Sequence, residues 1–250
     1  SKGLPIINLL PLEKDENISS IISLSADNEE HKYLVFVTRQ GLVKRTELSE
    51  FDNIRKSGKI AIGLKEDDEL IYVGVTTGND EIAIGANNGR MVRFNEAEVR
   101  VMGRSASGVK GIELEDSKVI GAEVIKPGQL ILIVTENGYG KKSEIEEYRL
   151  THRGSKGVKA LNITEKNGMM VALDCVDADG EYDLMIITDS GTIIKLPLEQ
   201  VSTLKRATQG VRLINLKDDQ KVSTVAVVEK EETSENEEAN EENQTVENIN

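Results

Sequence analysis

Four glycine-closed turns recur along the chain at a nearly constant spacing, and they constrain the fold more than any other feature. They read Thr38-Arg39-Gln40-Gly41, Ala86-Asn87-Asn88-Gly89, Thr135-Glu136-Asn137-Gly138 and Thr188-Asp189-Ser190-Gly191, with glycines 48, 49 and 53 residues apart. An apolar, β-branched run precedes each turn and a second apolar stretch follows it, as in 34–45, Leu-Val-Phe-Val-Thr-Arg-Gln-Gly-Leu-Val-Lys-Arg. Two such runs around a short glycine turn predict a β-hairpin. A cation stands four residues after each glycine: Arg45, Arg93, Lys142 and Lys195. Lys44 and Lys141 precede the first and third of these.

A second motif, Gly-x-x-x-(Ile/Leu)-x-(Leu/Ile), lies between the hairpins. Its copies start at Gly3, Gly58, Gly108, Gly157 and Gly210. Two motifs holding one period predict an array of like units. With five copies of one and four of the other, the chain opens in the middle of a repeat. Four strands per unit is the count of a propeller blade. In the first full repeat they are expected at 34–38, 42–46, 59–64 and 71–75. The fold class is therefore all-β, with blades at 32–79, 81–128, 130–179 and 183–228 and a partial blade at 1–28, where strands are expected at 3–12 and 18–24. Helical spacing is confined to 95–99 and 143–148, both short and both in the loop between motifs.

Composition agrees. Only 38 % of the residues are hydrophobic and 3 % aromatic, so Ile, Val and Leu must do nearly all the packing, which suits many thin cores between sheets. From Glu229 onward the chain holds nine acids against one base, eight of the thirteen net negative charges. With almost nothing apolar to bury, 229–250 is expected to be a disordered acidic tail. The body is only mildly acidic and can carry a basic rim, since salt screens distant charges beyond about 10 Å. The single cysteine, Cys175, excludes an internal disulfide and reads as a packed thiol in an apolar run. No run reaches membrane-spanning length and no signal peptide is recognisable, so a cytoplasmic location is expected.

Catalytic chemistry finds little support. His31 and His152 have no cysteine partners at metal-ligand spacing. The stretch 103–110 has the glycines of a phosphate loop but lacks its Lys-Ser/Thr, and there is no Gly-x-Ser-x-Gly elbow. The bases are more informative, because they recur in register. Arginine stands four residues before three of the motif glycines, as Arg104, Arg153 and Arg206, and a cation two residues after them, as Lys110, Lys159 and Arg212. The first full repeat places Ile54 at the arginine position and offers Arg55, Lys56 and Lys59 nearby; Lys156 adds to the third. Any one of these is as readily a strand-end cation paired with a loop acid. Repetition at three offsets favours a shared surface, because isolated surface pairs contribute only about 0–1 kcal/mol. In a radial array the set forms a curved positive band, which suits a bent polyanion held through its phosphates. No aromatics are interleaved, which disfavours single strands and leaves duplex DNA.

The alternation of (Leu/Ile)-Val-x-Val-Thr-x-x-Gly-x-(Val/Ile)-Lys-(Arg/Lys) with Gly-Val-(Lys/Arg)-x-(Ile/Leu)-x-Leu resembles the C-terminal domain of the DNA gyrase A subunit. Gly-Leu-Pro-Ile-Ile-Asn-Leu-Leu at 3–10 and Gln-Gly-Val-Arg-Leu-Ile-Asn-Leu at 209–216 carry the same likeness. The topoisomerase IV A subunit is a similar paralogue. The resemblance implies a β-pinwheel, six propeller-like blades that exchange strands, with duplex DNA wrapped on the basic outer edge to support negative supercoiling. The family's first-blade box, Gln-(Arg/Lys)-Arg-Gly-Gly-(Lys/Arg)-Gly, does not occur; 151–157 comes nearest, keeping Arg153, Gly154, Lys156 and Gly157. By that count the four full repeats are blades three to six of a domain truncated on its N-terminal side. The implied role is non-catalytic, with no cofactor in this domain; ATP and magnesium serve the family's holoenzyme. Tyr33, Tyr72, Tyr139, Tyr148 and Tyr182 therefore have no cleavage role. The implied partners are duplex DNA, the remainder of gyrase A, and gyrase B, and no membrane. A propeller scaffold for protein–protein contacts is the competing reading.

Overall fold

The structure, a computed structural model, describes residues 18–22, 30–55, 57–217 and 219–230. All four hairpins form. They are β1 (Tyr33–Thr38) with β2 (Leu42–Glu47), β4 (Glu81–Ala86) with β5 (Arg90–Asn95), β8 (Gln129–Thr135) with β9 (Tyr139–Glu144), and β12 (Tyr182–Thr188) with β13 (Ile193–Pro197). The turn glycines sit at φ between +80° and +85°, a region that side chains disfavour.

A third strand pairs with the first strand of each hairpin: β3 (Leu70–Thr76), β7 (Val119–Ile125), β11 (Met170–Asp177) and β15 (Val222–Glu229). Each of these pairs slips register at its turn end, between Val37 and Thr38, Gly85 and Ala86, Met170 and Ala172, and Ile187 and Thr188. Such bulges sharpen the local twist.

The fourth strand is supplied by the following repeat. Two-residue strands β6 (Val109–Lys110), β10 (Val158–Lys159) and β14 (Val211–Arg212) pair with β2, β5 and β9. The sheets run β3-β1-β2-β6, β10-β5-β4-β7 and β11-β8-β9-β14, followed by a three-stranded β13-β12-β15. We call them blades 1 to 4.

Three of the motif glycines have a steric reason. Gly108, Gly157 and Gly210 have positive φ and press against the hairpin backbone that receives their strand; an added Cβ would lie 2.6 Å from the Val43 carbonyl, closer still to that of Met91, and 2.8 Å from that of Gly140.

Three strand assignments are corrected. Residues 59–64 form no strand. In the other repeats this segment is a donor to the preceding hairpin, and no such hairpin is among the described residues. Of the strand expected at 18–24, 18–22 is irregular; 23–24 and the strand at 3–12 lie outside the described residues. Glu229 closes β15, and the Lys230 amide donates to the Glu181 carbonyl, so both belong to blade 4 rather than to a tail. Residues 231–250 lie outside the described residues.

Apolar side chains form thin cores between successive blades. Val35, Val37 and Val43 of blade 1 meet Ile82, Ile84, Val92 and Phe94 of blade 2. Ala83 and Met91, on the opposite face of blade 2, meet Ile131, Ile133 and Tyr148 of blade 3. Leu132 and Val134 meet Leu184, Ile186 and Leu198 of blade 4. A middle strand is thus buried on both faces. Cys175 packs against the second core, where burial pushes its thiol pKa upward.

Candidate nucleic-acid interface

Two-sided burial decides the fate of the hairpin cations. Arg45 and Glu96 are both buried, 3.3 Å apart, and join β2 to the 3-10 turn Glu96–Glu98 of blade 2. Arg45 also donates Nε to the Val99 carbonyl at 3.0 Å. Arg93 repeats the carbonyl contact one blade on, donating Nη1 to the carbonyls of Ile145 (3.0 Å) and Tyr148 (2.9 Å), while its acid, Glu81 at 2.5 Å, lies on β4 of its own blade. Lys142 is half-buried, and desolvation lowers its pKa. Lys195 is exposed, 3.1 Å from Asp183.

Lys44 and Lys141 are fully buried, and desolvation pushes each ammonium down to about 8. Lys44 donates to the carbonyls of Ala61 and Arg104, both at 2.5 Å. Lys141 donates to those of Lys205 (2.9 Å), Arg206 and Thr208 (3.2 Å). Lys44, Arg45 and Lys141 are thereby corrected. Their side chains tie blades to loops and do not face solvent, because a cation on a strand packed on both faces is satisfied internally.

The outer edge has a different character. Lys110, Lys159 and Arg212 are the second residues of β6, β10 and β14 and are all exposed. They stand opposite Leu42, Arg90 and Tyr139, each the residue after its turn glycine. The three cations therefore occupy one register position on successive blades. Lys110 lies 2.5 Å from Glu113, and Arg212 donates to the Tyr139 hydroxyl at 3.1 Å. Lys156 is exposed and paired with Glu115. Arg55, Lys59 and Arg104 line one open cleft with Glu50 and Asn53; Lys59 donates to the carbonyls of Glu50 (3.2 Å) and Asp52. Lys56 lies outside the described residues.

Arg104, Arg153 and Arg206 occupy equivalent, half-buried places at this edge. Each donates Nη1 to a backbone carbonyl of the preceding motif: Ile60 at 3.2 Å, Lys110 at 2.9 Å and Lys159 at 2.8 Å. Arg104 also lies 3.8 Å from Glu50.

Several residues escaped the sequence reading. Arg90 is exposed directly across from Lys159. Arg100 and Arg149, each eleven residues past a turn glycine, are also exposed. Glu50, Glu98 and Glu147 recur nine residues past the turn glycines and receive the arginine loops. Their spacing was a usable signal.

A half-buried acidic pair was also missed. Gly74, Glu123, Asp174 and Ala226 are register-equivalent on the third strands, opposite Val35, Ala83, Leu132 and Met185. Burial first, then the charge and hydrogen bond of Asp174, push the Glu123 carboxyl up to about 8. Burial also raises Asp174. The Tyr72 hydroxyl, which accepts from the Val124 amide at 3.2 Å, fills the space over Gly74. Among the described residues no group of three or more His, Cys, Asp or Glu could hold a metal.

Comparison with known proteins places this geometry. The family model described as DNA gyrase C-terminal domain, beta-propeller, matches 32–77, 80–126, 129–177 and 182–229. The chain is 51 % identical over 235 residues to the DNA gyrase A subunit of Staphylococcus epidermidis, covering 93 % of this chain and 26 % of that protein. It is 48 % identical over 240 residues to the DNA gyrase A subunit of Staphylococcus aureus, covering 95 % and 27 %. The chain thus spans about a quarter of these relatives. Among solved structures, the C-terminal domain of DNA topoisomerase IV superposes with a TM-score of 0.80 at 29 % identity, covering 91 % of this chain and 71 % of that one. The DNA gyrase A C-terminal domain superposes at 0.75 with 24 % identity, covering 91 % and 75 %.

Proposed function

Because the chain belongs to the DNA gyrase C-terminal domain, β-propeller family, we propose that it binds duplex DNA along its outer edge and bends it, supporting the wrapping step of a gyrase. The observation that carries this reading is the single register position shared by Lys110, Lys159 and Arg212 on three successive outer-edge strands. Exposed cations at that position meet phosphates on a curved path and read no bases. Arg90, Arg100, Arg149, Lys156 and the cleft holding Arg55 and Lys59 extend the same edge.

In this reading the domain is non-catalytic and needs no cofactor of its own. Strand cleavage, ATP and magnesium belong to the remainder of gyrase A and to gyrase B, its partners in a cytoplasmic enzyme. No helix among the described residues is long and apolar enough to cross a membrane.

Retardation of duplex DNA across a salt series tests the proposal. Affinity should fall with a log–log slope of about −0.9 per phosphate neutralised. The combined variant Lys110→Glu, Lys159→Glu, Arg212→Glu should bind weakly and lose about one unit of slope per residue changed. Equal affinity and slope in variant and parent would remove the outer edge as the site.

A further inference from the structure

Arg104, Arg153 and Arg206 do something that surface charge does not require. Each reaches with Nη1 to the carbonyl of the residue two places after the preceding motif glycine. For Arg153 and Arg206 that acceptor belongs to Lys110 and Lys159, the residues whose side chains are the exposed outer-edge cations. The acceptors lie on β6 at the edge of blade 1 and on β10 at the edge of blade 2. The arginines themselves sit in the loops leading into β10 and β14, the edges of blades 2 and 3.

The other end of each link is anchored as well. The Arg153 amide donates to the Glu98 carboxylate at 3.0 Å, and its Nε donates to the Glu98 carbonyl at 3.0 Å. The Arg206 amide donates to Glu147 at 3.3 Å. In Arg153 two nitrogens of one planar guanidinium thus connect β6 to the 3-10 turn of blade 2, a geometry that a lysine ammonium does not reproduce; Arg206 makes the same link with Nη1 and its backbone amide. For Arg153 and Arg206 the guanidinium acceptors are neutral carbonyls, with the carboxylates of Glu98 and Glu147 held on the arginine backbone amides instead.

We infer that Arg153 and Arg206, with Arg104 as their counterpart in the preceding repeat, are positioning residues: struts that set the spacing and angle between successive outer-edge strands, and through them the curvature imposed on a bound duplex. The inference deepens the proposal above and rests on it for its consequence, though the struts themselves are a property of the protein.

The test changes shape while keeping charge. Arg153→Lys with Arg206→Lys is introduced into the full chain, alone and with spin labels at Asp116→Cys and Glu165→Cys, two exposed sites beyond β6 and β10. Three quantities are compared with the parent: the label-to-label distance distribution, the salt slope of duplex binding, and the bend of an end-labelled duplex of about 100 base pairs, shorter than the persistence length of about 150. The struts predict a broadened distance distribution, a smaller bend and an unchanged salt slope. An unaltered distance distribution, or an unaltered bend, would overturn the inference. If the parent does not retard DNA, the outer-edge reading fails, and the label distances alone decide the struts. If the double change unfolds the chain, Arg206→Lys alone, with Glu165→Cys and Lys217→Cys labels, carries the same comparison.

Discussion

The Arg45 guanidinium and the Glu96 carboxylate lie 3.3 Å apart in different blades, with side-chain exposures of 10 % and 0 %. Glu96 also accepts from the Thr76 hydroxyl (2.6 Å) and from the amides of Gly78 (2.7 Å) and Asp80 (2.9 Å). One carboxylate therefore closes blade 1, orders the link between blades and neutralises a buried cation. Glu96→Ala should cost about 3–5 kcal/mol, because it strands a buried charge. Urea unfolding of Glu96→Ala, Arg45→Met and the double variant checks this. The double variant should lose less than the sum of the singles, and strict additivity would show that the two residues act separately.

Lys141 is the second internal cation to test. Lys141→Met removes the ammonium shared by the carbonyls of Lys205, Arg206 and Thr208 and should cost about 1–3 kcal/mol. The salt slope of DNA binding should stay that of the parent, whereas Lys159→Glu should lower it by about one. A lower slope in Lys141→Met would return this residue to the interface.

The motif glycines permit a comparison within one chain. Gly58 and Gly157 both have positive φ, but nothing lies near an added Cβ at Gly58, whereas at Gly157 it would collide with the Met91 carbonyl. Gly58→Ala should cost about 1–2 kcal/mol from conformation alone. Gly157→Ala should cost clearly more and loosen β10, visible as faster exchange of the amides that pair β10 with β5. Equal costs from denaturant titrations would show that strand exchange adds no steric demand there.

Glu123 predicts a pH dependence. Its carboxyl is raised from the usual 4.5 to about 8, with Asp174 and Cys175 of β11 and Tyr72 of β3 around it. The folded chain therefore keeps a proton that the unfolded chain releases above its ordinary value. The stability from that proton is fully present at low pH and is lost as pH rises through the interval up to about 8. The parent's thermal midpoint should fall between about pH 5 and about pH 8, and Glu123→Gln should flatten that fall. A parallel fall in the variant would assign the effect to other groups.

Much of this was legible in the amino-acid sequence. The repeat, the four hairpins and their turn glycines follow from local rules: alternation of apolar residues and turn chemistry. The outer-edge cations Lys110, Lys159 and Arg212 were found by their fixed distance from the motif glycines. Residues 59–64 show the limit of that approach. A donor strand reads the same whether its partner is in its own repeat or the previous one, and here the pattern alone misplaced it.

The chain's own order of residues determined the period, the all-β character and which positions carry charge, because each depends on neighbours a few places away. Which charges face solvent was decided only when blades stacked. Stacking buries both faces of the middle strands, so Lys44, Arg45 and Lys141 turn to carbonyls and to Glu96, while Lys110, Lys159 and Arg212 stay outside on strands lent by the next repeat. The same stacking brought Glu123 against Asp174 and drew Arg153 to the carbonyl of Lys110, contacts between segments about fifty residues apart that no short-range pattern encodes.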